Sequence, residues 1–232
     1  MKWFAGLLVD WLTGTSKPQD QQAAVLQPTS KPVNQKTAVE PHAESRTIDG
    51  IPIDVINTRD DVSTERVFRR AEAVIGRVRT YQPWRLAHIR RDIAGIVVMR
   101  YACRAAYFPD RRLCMLELTF MANEQFSDSQ VAASLVHEGM HARLDRLSEK
   151  YGVTPFPQAR ARHERICRRA ELDFGLAVPD GAPVVQRAVE SMRLADEEVA
   201  PVIEWGEAER RIAAVDRAQA LSPRTPEMHS DG

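Results

Sequence analysis

Residues 127–147 read SDSQVAASLVHEGMHARLDRL, and the first four residues of this stretch carry a helix start signal. Ser127 and Gln130 match a capping box, in which each side chain accepts a hydrogen bond from the other residue's backbone N–H. Apolar residues then recur at helical spacing, while polar residues from Gln130 to Asp145 form a strip along one side. The sequence therefore predicts a helix from Ser127 to about Leu147.

The polar strip contains the pattern HEGMH at residues 137–141. His137 and His141 are four residues apart, so a helix places their imidazoles one above the other, within reach of one metal ion. An open zinc site takes three protein ligands and lowers the pKa of a bound water to about 7. The pattern predicts His137 and His141 as zinc ligands and Glu138 as the general base that accepts the proton of that water. Two core histidines satisfied by hydrogen bonds are the competing interpretation.

Through this motif, the stretch from about Arg104 to Pro179 resembles the zincin metallopeptidases, and more narrowly their gluzincin branch. The metzincin pattern fits less well, because it requires a glycine and then a histidine where this chain has Leu144 and Leu147. The resemblance implies a Zn²⁺ cofactor, hydrolysis of peptide bonds in a protein or peptide substrate, and a glutamate ligand on the following helix. It also implies a strand edge that pairs with the substrate, for which the strand from Arg112 to Phe120 is the candidate.

Two glutamates on the following helix, predicted from about Gln158 to Ala177, are candidates for the third ligand. Glu164 and Glu171 are seven residues apart and therefore share a helix face. The resemblance favours Glu164 as the ligand, because of its spacing after the motif, and Glu171 as a residue that hydrogen-bonds a ligand histidine. The reverse assignment stays open, as does a solvated charge paired with Arg168 or Arg160.

Several other side chains near these residues have weaker indications. His163 adjoins Glu164 and is a candidate for stabilising an oxyanion, with a surface histidine as an equal alternative. Weaker candidates for the same role are Tyr151, Arg143 and Arg162. Cys167 shares the face of Glu164, and we expect it to be a small buried residue rather than a ligand.

The pattern around the motif predicts an α+β fold, with a mixed or antiparallel sheet packed on the HEGMH helix and further helices after it. An apolar stretch at Ile51–Val55 precedes a helix from Ser63 to about Tyr81. Residues from about Leu86 to Met121 are rich in β-branched and aromatic types and are predicted to form the sheet. Pro109-Asp110 predicts a hairpin turn within it. One or two helices are expected between Pro183 and Ala220.

The ends of the chain have a different character. Residues 1–14 are amphipathic and match a cleaved secretory signal poorly, so we expect a retained segment. Its residues 1–12 are candidates for a partner contact or a weak membrane-surface contact. Residues 15–46 read as a flexible linker and residues 221–232 as a disordered tail, which leaves 47–220 as one zincin-like domain. His42 and His229 fall in these flanking segments, and neither is expected to bind metal.

Composition limits the partners and the compartment. Lys+Arg and Asp+Glu both total 32, so the zero net charge provides no global attraction to polyanions. Arginines are frequent, but acids are interspersed and no recognition motif accompanies them, so we expect no specific nucleic-acid partner. The three cysteines are odd in number and form no CxxC pair, which favours free thiols and a cytoplasmic location.

The sequence supports two principal hypotheses about function. The first is a zinc metallopeptidase in which Glu138 is the general base. The second is a catalytically weak or inactive zincin-fold protein that serves as a metal-stabilised binding or regulatory module. They differ in whether Glu138 is needed.

Overall fold

The computed structural model describes residues 42–153, 160–201 and 205–221, and these residues form the predicted α+β fold around a five-stranded mixed sheet. Its strands are β1 (His42–Ile48), β2 (Ile51–Asn57), β3 (Gly95–Met99), β4 (Ala105–Phe108) and β5 (Leu113–Glu117). Their order across the sheet is β1-β2-β3-β5-β4. Only the outer pairs, β1 with β2 and β4 with β5, are antiparallel.

Eight helices are present among the described residues. They are α1 (Thr64–Tyr81), α2 (Pro83–Asp92), α3 (Leu118–Ala122), α4 (Asp128–Tyr151), α5 (Arg160–Ala177), α6 (Ala182–Met192), α7 (Asp196–Val199) and α8 (Trp205–Leu221). The region expected to hold one or two helices after Pro183 thus contains three. None of the helices in the described ranges has the length and apolar character needed to cross a bilayer.

The main core lies between the sheet and the helices. Alternate side chains of the central strands, such as Val55, Val98 and Leu116, point into it, because successive residues of a strand face opposite sides. From α4, Val131 and Leu135 are fully buried in the same core. A smaller cluster packs on the opposite face of the sheet. It includes Val97 and the other strand side chains that point away from the main core. The HEGMH helix is therefore fixed directly against the sheet.

The predicted sheet region contains two corrections. Residues 83–92 form α2, although the sheet was expected to begin at about Leu86. Pro83 begins the helix at its first position, and Leu86 and Ile89 bury one helical face. The predicted strand from Arg112 to Phe120 ends at Glu117, whose carboxylate accepts from the Phe120 backbone N–H at 2.7 Å and caps α3. The predicted hairpin is confirmed: β4 and β5 flank a 3₁₀ turn at Pro109–Arg111.

The segment 15–46, expected to be a linker, contains the start of β1 at His42. β1 and β2 are joined by Asp49 and Gly50, which both have positive φ, as a tight type I′ hairpin requires. The amphipathic segment 1–14, the rest of the expected linker up to residue 41, and residues 222–232 of the expected tail lie outside the described residues.

Gly139 lies where α4 and α2 approach each other closely. A Cβ at this position would lie 2.5 Å from Ile89 Cγ1 of α2. We expect Gly139→Ala to lower the free energy of unfolding by up to about 2 kcal/mol, because overpacking of about 1–3 kcal/mol outweighs the gain in helix propensity of about 1 kcal/mol. Chemical denaturation measures this change.

Gly76→Ala in α1 is the matched control, because its added Cβ would meet only Arg79 Nη2 at 3.8 Å. That variant is expected to be more stable than the wild type, by up to about 1 kcal/mol. A Gly139→Ala protein as stable as Gly76→Ala would contradict the packing described for Ile89.

Candidate metal centre

The motif helix begins as its sequence predicts. The Ser127 hydroxyl accepts from Gln130 N at 3.3 Å, and Ser127 N donates to Gln130 Oε1 at 2.9 Å, which completes the capping box. The helix extends to Tyr151, about one turn beyond the predicted end at Leu147. His137 and Glu138 lie near its middle with exposed fractions of 5% and 7%. Two ionisable side chains are therefore held in a largely dry environment, where unpaired charge is costly.

Three side chains converge on one point between α4 and α5. His137 Nε2 and His141 Nε2 are 3.1 Å apart. The carboxylate of Glu164, on α5, places one oxygen 3.2 Å from His137 Nε2 and the other 3.3 Å from His141 Nε2. The two nitrogens and the carboxylate thus form a compact set of donors directed at one another.

Glu171 lies on the other side of the same imidazole. Its Oε1 is 2.9 Å from His137 Nδ1, so the two glutamates of α5 contact opposite nitrogens of one ring. Arg168 donates to Glu171 Oε1 at 2.8 Å, and Arg187 of α6 lies 3.1 Å from Oε2. Glu171 is only 1% exposed, so a solvated surface charge is the wrong description of this residue.

The charges in this cluster determine its protonation. Burial lowers the pKa of His137, but the carboxylates of Glu164 and Glu171 at its two nitrogens outweigh burial and raise the pKa to about 9. Burial acts to raise the pKa of Glu164, and the contacts with His137 and His141 outweigh it and hold that pKa well below its usual value. In the absence of a cation, the cluster therefore holds a proton on His137 at neutral pH.

The donor set fits a small tetrahedral cation. Ligand atoms about 2.0–2.1 Å from a tetrahedral ion are about 3.3–3.4 Å apart. The two histidine nitrogens are 3.1 Å apart, and each lies 3.2 or 3.3 Å from a different oxygen of Glu164. Cys167 also has its sulfur within 4.8 Å of ligand atoms of both imidazoles. His137, His141 and Cys167 therefore form a second possible donor set. Burial raises the pKa of the Cys167 thiol and so opposes the thiolate that binds metal, whereas the Glu164 carboxylate contacts both imidazoles at 3.2 and 3.3 Å, which favours Glu164 as the third donor.

A cleft of about 530 Å³ opens in front of these residues. Its walls include Glu138 and His163, the strand β4, and the end of α7 with Pro201. The sequence suggested Arg160 as an ion-pair partner for Glu164 or Glu171. Its guanidinium donates to Pro201 O at 2.7 Å. The cleft is thus lined on one side by the strand β4 and on another by helical residues, and the candidate donors are among its lining residues.

The edge strand beside the cleft differs from the predicted one. β5, which corresponds to the predicted strand from Arg112, lies between β3 and β4, so both of its edges are already paired. β4 is the outer strand of the described sheet and supplies the cleft wall. Among the oxyanion candidates, His163 lines the cleft, whereas Tyr151 and Arg143 line a separate groove. Arg162 is exposed outside the cleft lining.

Several residues of the site carried no usable sequence signal. Tyr107 on β4 lines the cleft and contacts Asp145 of α4 through its hydroxyl at 3.1 Å, which ties the edge strand to the motif helix. Arg187 pairs with Glu171 from a helix that only tertiary packing brings near.

The number and spacing of the cysteines predict free thiols. The structure confirms this for Cys103, Cys114 and Cys167.

Comparisons with protein-family models, with curated proteins and with solved structures find no significant match to this chain.

Proposed function

We propose that this protein is a zinc-dependent metallopeptidase whose metal ligands are His137, His141 and Glu164. The observation that carries the proposal is a set of contacts among residues that line an open cleft. The two imidazole Nε2 atoms are 3.1 Å apart, and each lies 3.2–3.3 Å from one of the two Glu164 oxygens. Two nitrogens and one carboxylate suit zinc, whereas calcium and magnesium prefer sites built from oxygen. The zincin resemblance of the HEGMH motif supports the same assignment.

Bound zinc supplies a Lewis acid and lowers the pKa of a water in its open position. Glu138 adjoins the first histidine in the sequence and lines the same cleft as the donors, which supports its assignment as the base and not as a ligand. Burial raises the pKa of Glu138, which makes its carboxylate a stronger base at neutral pH. Glu138 accepts a proton from the attacking water and returns it to the leaving amine.

Glu171 acts on the site through His137. Its contact with Nδ1 fixes the orientation of the ring and leaves Nε2 directed at Glu164 and His141. A carboxylate at this position also increases the basicity of the imidazole. Arg168 and Arg187 in turn hold the Glu171 carboxylate, so the ligand histidine is positioned by a buried ionic network.

The shape of the cleft suits an extended protein or peptide substrate. The outer edge of β4 supplies backbone groups for pairing with a substrate strand, beside the aromatic side chains of Tyr107 and Phe108. His163, at the edge of the cleft near Glu164, is the candidate for stabilising the oxyanion that forms as the peptide carbonyl is attacked.

Removal and restoration of metal test this function. The purified full-length protein is incubated with an unfolded, fluorescein-labelled protein substrate, and release of peptides is followed. We expect hydrolysis to cease after treatment with a chelator and to return when zinc is added. Hydrolysis that continues in the metal-free protein, or an absence of hydrolysis across unfolded substrates with zinc bound, would overturn the peptidase assignment.

Metal binding is expected to release a proton. His137 has a pKa of about 9 in the metal-free cluster and is protonated at pH 7, whereas a ligand imidazole must be neutral. Between pH 7 and 9, the apparent zinc affinity should rise about tenfold per pH unit from this group alone. Titration calorimetry in buffers of different ionisation enthalpy measures the proton release. Zinc binding with no proton release at pH 7 would contradict the described cluster.

A further inference from the structure

A second groove lies on the other side of the motif helix, between α2 and the last turns of α4. It encloses about 500 Å³ and is lined by Arg91, Asp92, Arg143, Arg146, Leu147, Glu149, Lys150 and Tyr151. We call it the basic groove. None of its lining residues lines the catalytic cleft, so a ligand bound there does not occupy the peptidase site.

Three guanidinium groups of the basic groove share one buried carboxylate. Asp92 is 0% exposed, and its two oxygens each accept from Arg91 at 2.7 Å. Arg143 and Arg146 approach the same carboxylate only to 3.7 and 3.8 Å, beyond hydrogen-bond distance. Their side chains are 29% and 39% exposed, so their N–H groups remain accessible to an anion from solvent.

The positive charge of the groove exceeds its negative charge. Its lining contains the four cations Arg91, Arg143, Arg146 and Lys150 against the two acids Asp92 and Glu149. A fifth cation, the guanidinium of Arg112, lies beside it and donates to the backbone carbonyls of residues 91 and 92 at the end of α2. Although the chain has no net charge, this surface attracts anions locally, because charge within a groove raises the local concentration of counter-ions.

One exposed aromatic side chain lies in the groove, and a second lies on the same face of α2 outside its lining. Tyr151 lines the groove and is 66% exposed, and Lys150 Nζ lies 5.3 Å from the centre of its ring. Trp84 is 55% exposed and lies seven residues before Arg91, on the same face of α2. Within the described residues, these are the two aromatic side chains classed as exposed. Flat apolar faces next to accessible guanidinium groups are the elements that bind unstacked bases and their phosphates.

We propose that the basic groove binds single-stranded nucleic acid without sequence preference. Phosphates pair with Arg143, Arg146 and Lys150, since guanidinium groups bind phosphate oxygens in charge-assisted pairs. Bases stack on Trp84 and Tyr151. An acidic peptide would satisfy the cations equally well but would leave the two aromatic faces unused. The aromatic residues therefore decide between the two classes of ligand.

Fluorescence anisotropy with a labelled oligothymidylate of about 15 nucleotides tests the proposal on the full chain. For three or four phosphate contacts, log affinity should fall with log salt at a slope of about −2 to −3. The double variant Arg143→Ala, Arg146→Ala should make that slope about 1–1.5 less steep. Trp84→Ala should weaken binding about 5-fold or more, because one stacked base is lost.

Matched variants separate these effects from damage to the fold. Arg69→Ala with Arg210→Ala removes the same charge from exposed positions elsewhere and should leave affinity unchanged. Arg143→Lys with Arg146→Lys keeps the charge and should preserve the salt slope. The proposal is overturned by an absence of binding, by equal loss in the Arg69 and Arg210 control, or by polyglutamate competing as well as the oligonucleotide at equal charge.

Discussion

Glu138→Gln should reduce the rate of peptide hydrolysis by about 10²- to 10⁴-fold while the protein keeps its zinc. The substitution preserves the shape of the side chain and removes the carboxylate that accepts the proton. Because Glu138 lies beside the donors in the cleft and is not one of the three converging residues, its loss should leave the metal site intact. The measurement is kcat/KM on the labelled substrate, together with the zinc content of the same preparation.

Glu72→Gln, an exposed substitution on α1, is the matched control for this experiment and should retain wild-type kinetics. The result also separates the two functions that the sequence supports. A binding or regulatory module would keep its biological activity in Glu138→Gln, because that activity needs the bound metal and not the general base. Retained hydrolysis in Glu138→Gln would eliminate the mechanism proposed for this residue.

His137→Ala should have the second large effect, on stability and on metal binding together. The imidazole lies between Glu164 and Glu171, and its removal leaves a buried carboxylate network without its central partner. Breaking a buried charged pair costs about 3–5 kcal/mol, so we expect a loss of about that size in the metal-free protein. Denaturant titration in the presence of a chelator measures the loss. The wild-type protein should also gain stability from zinc, whereas the variant should not.

His88→Ala provides the control, because His88 is a partly exposed histidine on α2 outside the cleft. It should retain zinc-dependent stabilisation. If His137→Ala were stabilised by zinc as strongly as the wild type, His137 would not be a ligand.

The sequence predicted the motif helix well because several local signals agree there. The capping box at Ser127 fixes the start of the helix, and the i, i+4 spacing of His137 and His141 then fixes their shared face. The third donor could not be fixed in the same way. Glu164 and Glu171 occupy equivalent positions around α5, and the offset between α4 and α5 along their axes decides which nitrogen each contacts.

Other parts of the fold were missed for identifiable physical reasons. α2 is only ten residues long and begins directly after the Gln82-Pro83 break, so its helical pattern is short, and the close approach of Ile89 to Gly139 packs it against α4. The residues of β1 are mostly polar and exposed, so they lack the apolar alternation that indicates a strand. Asp49-Gly50, which follows them, is nevertheless a strong local hairpin signal. The alternation of apolar residues past Glu117 resembled a continuing strand, but the capping bond from Phe120 N to the Glu117 carboxylate begins a helix there.

The central claim is that Glu164 completes a three-residue zinc site with the two histidines. Metal analysis after dialysis with zinc, on the wild type beside Glu164→Ala and Glu171→Gln, tests it most directly. We expect about one zinc per wild-type chain, loss of that zinc in Glu164→Ala, and retention in Glu171→Gln with affinity reduced about 10- to 100-fold. A Glu164→Ala protein that binds zinc as tightly as the wild type, or a wild-type protein that binds none, would contradict the proposed site.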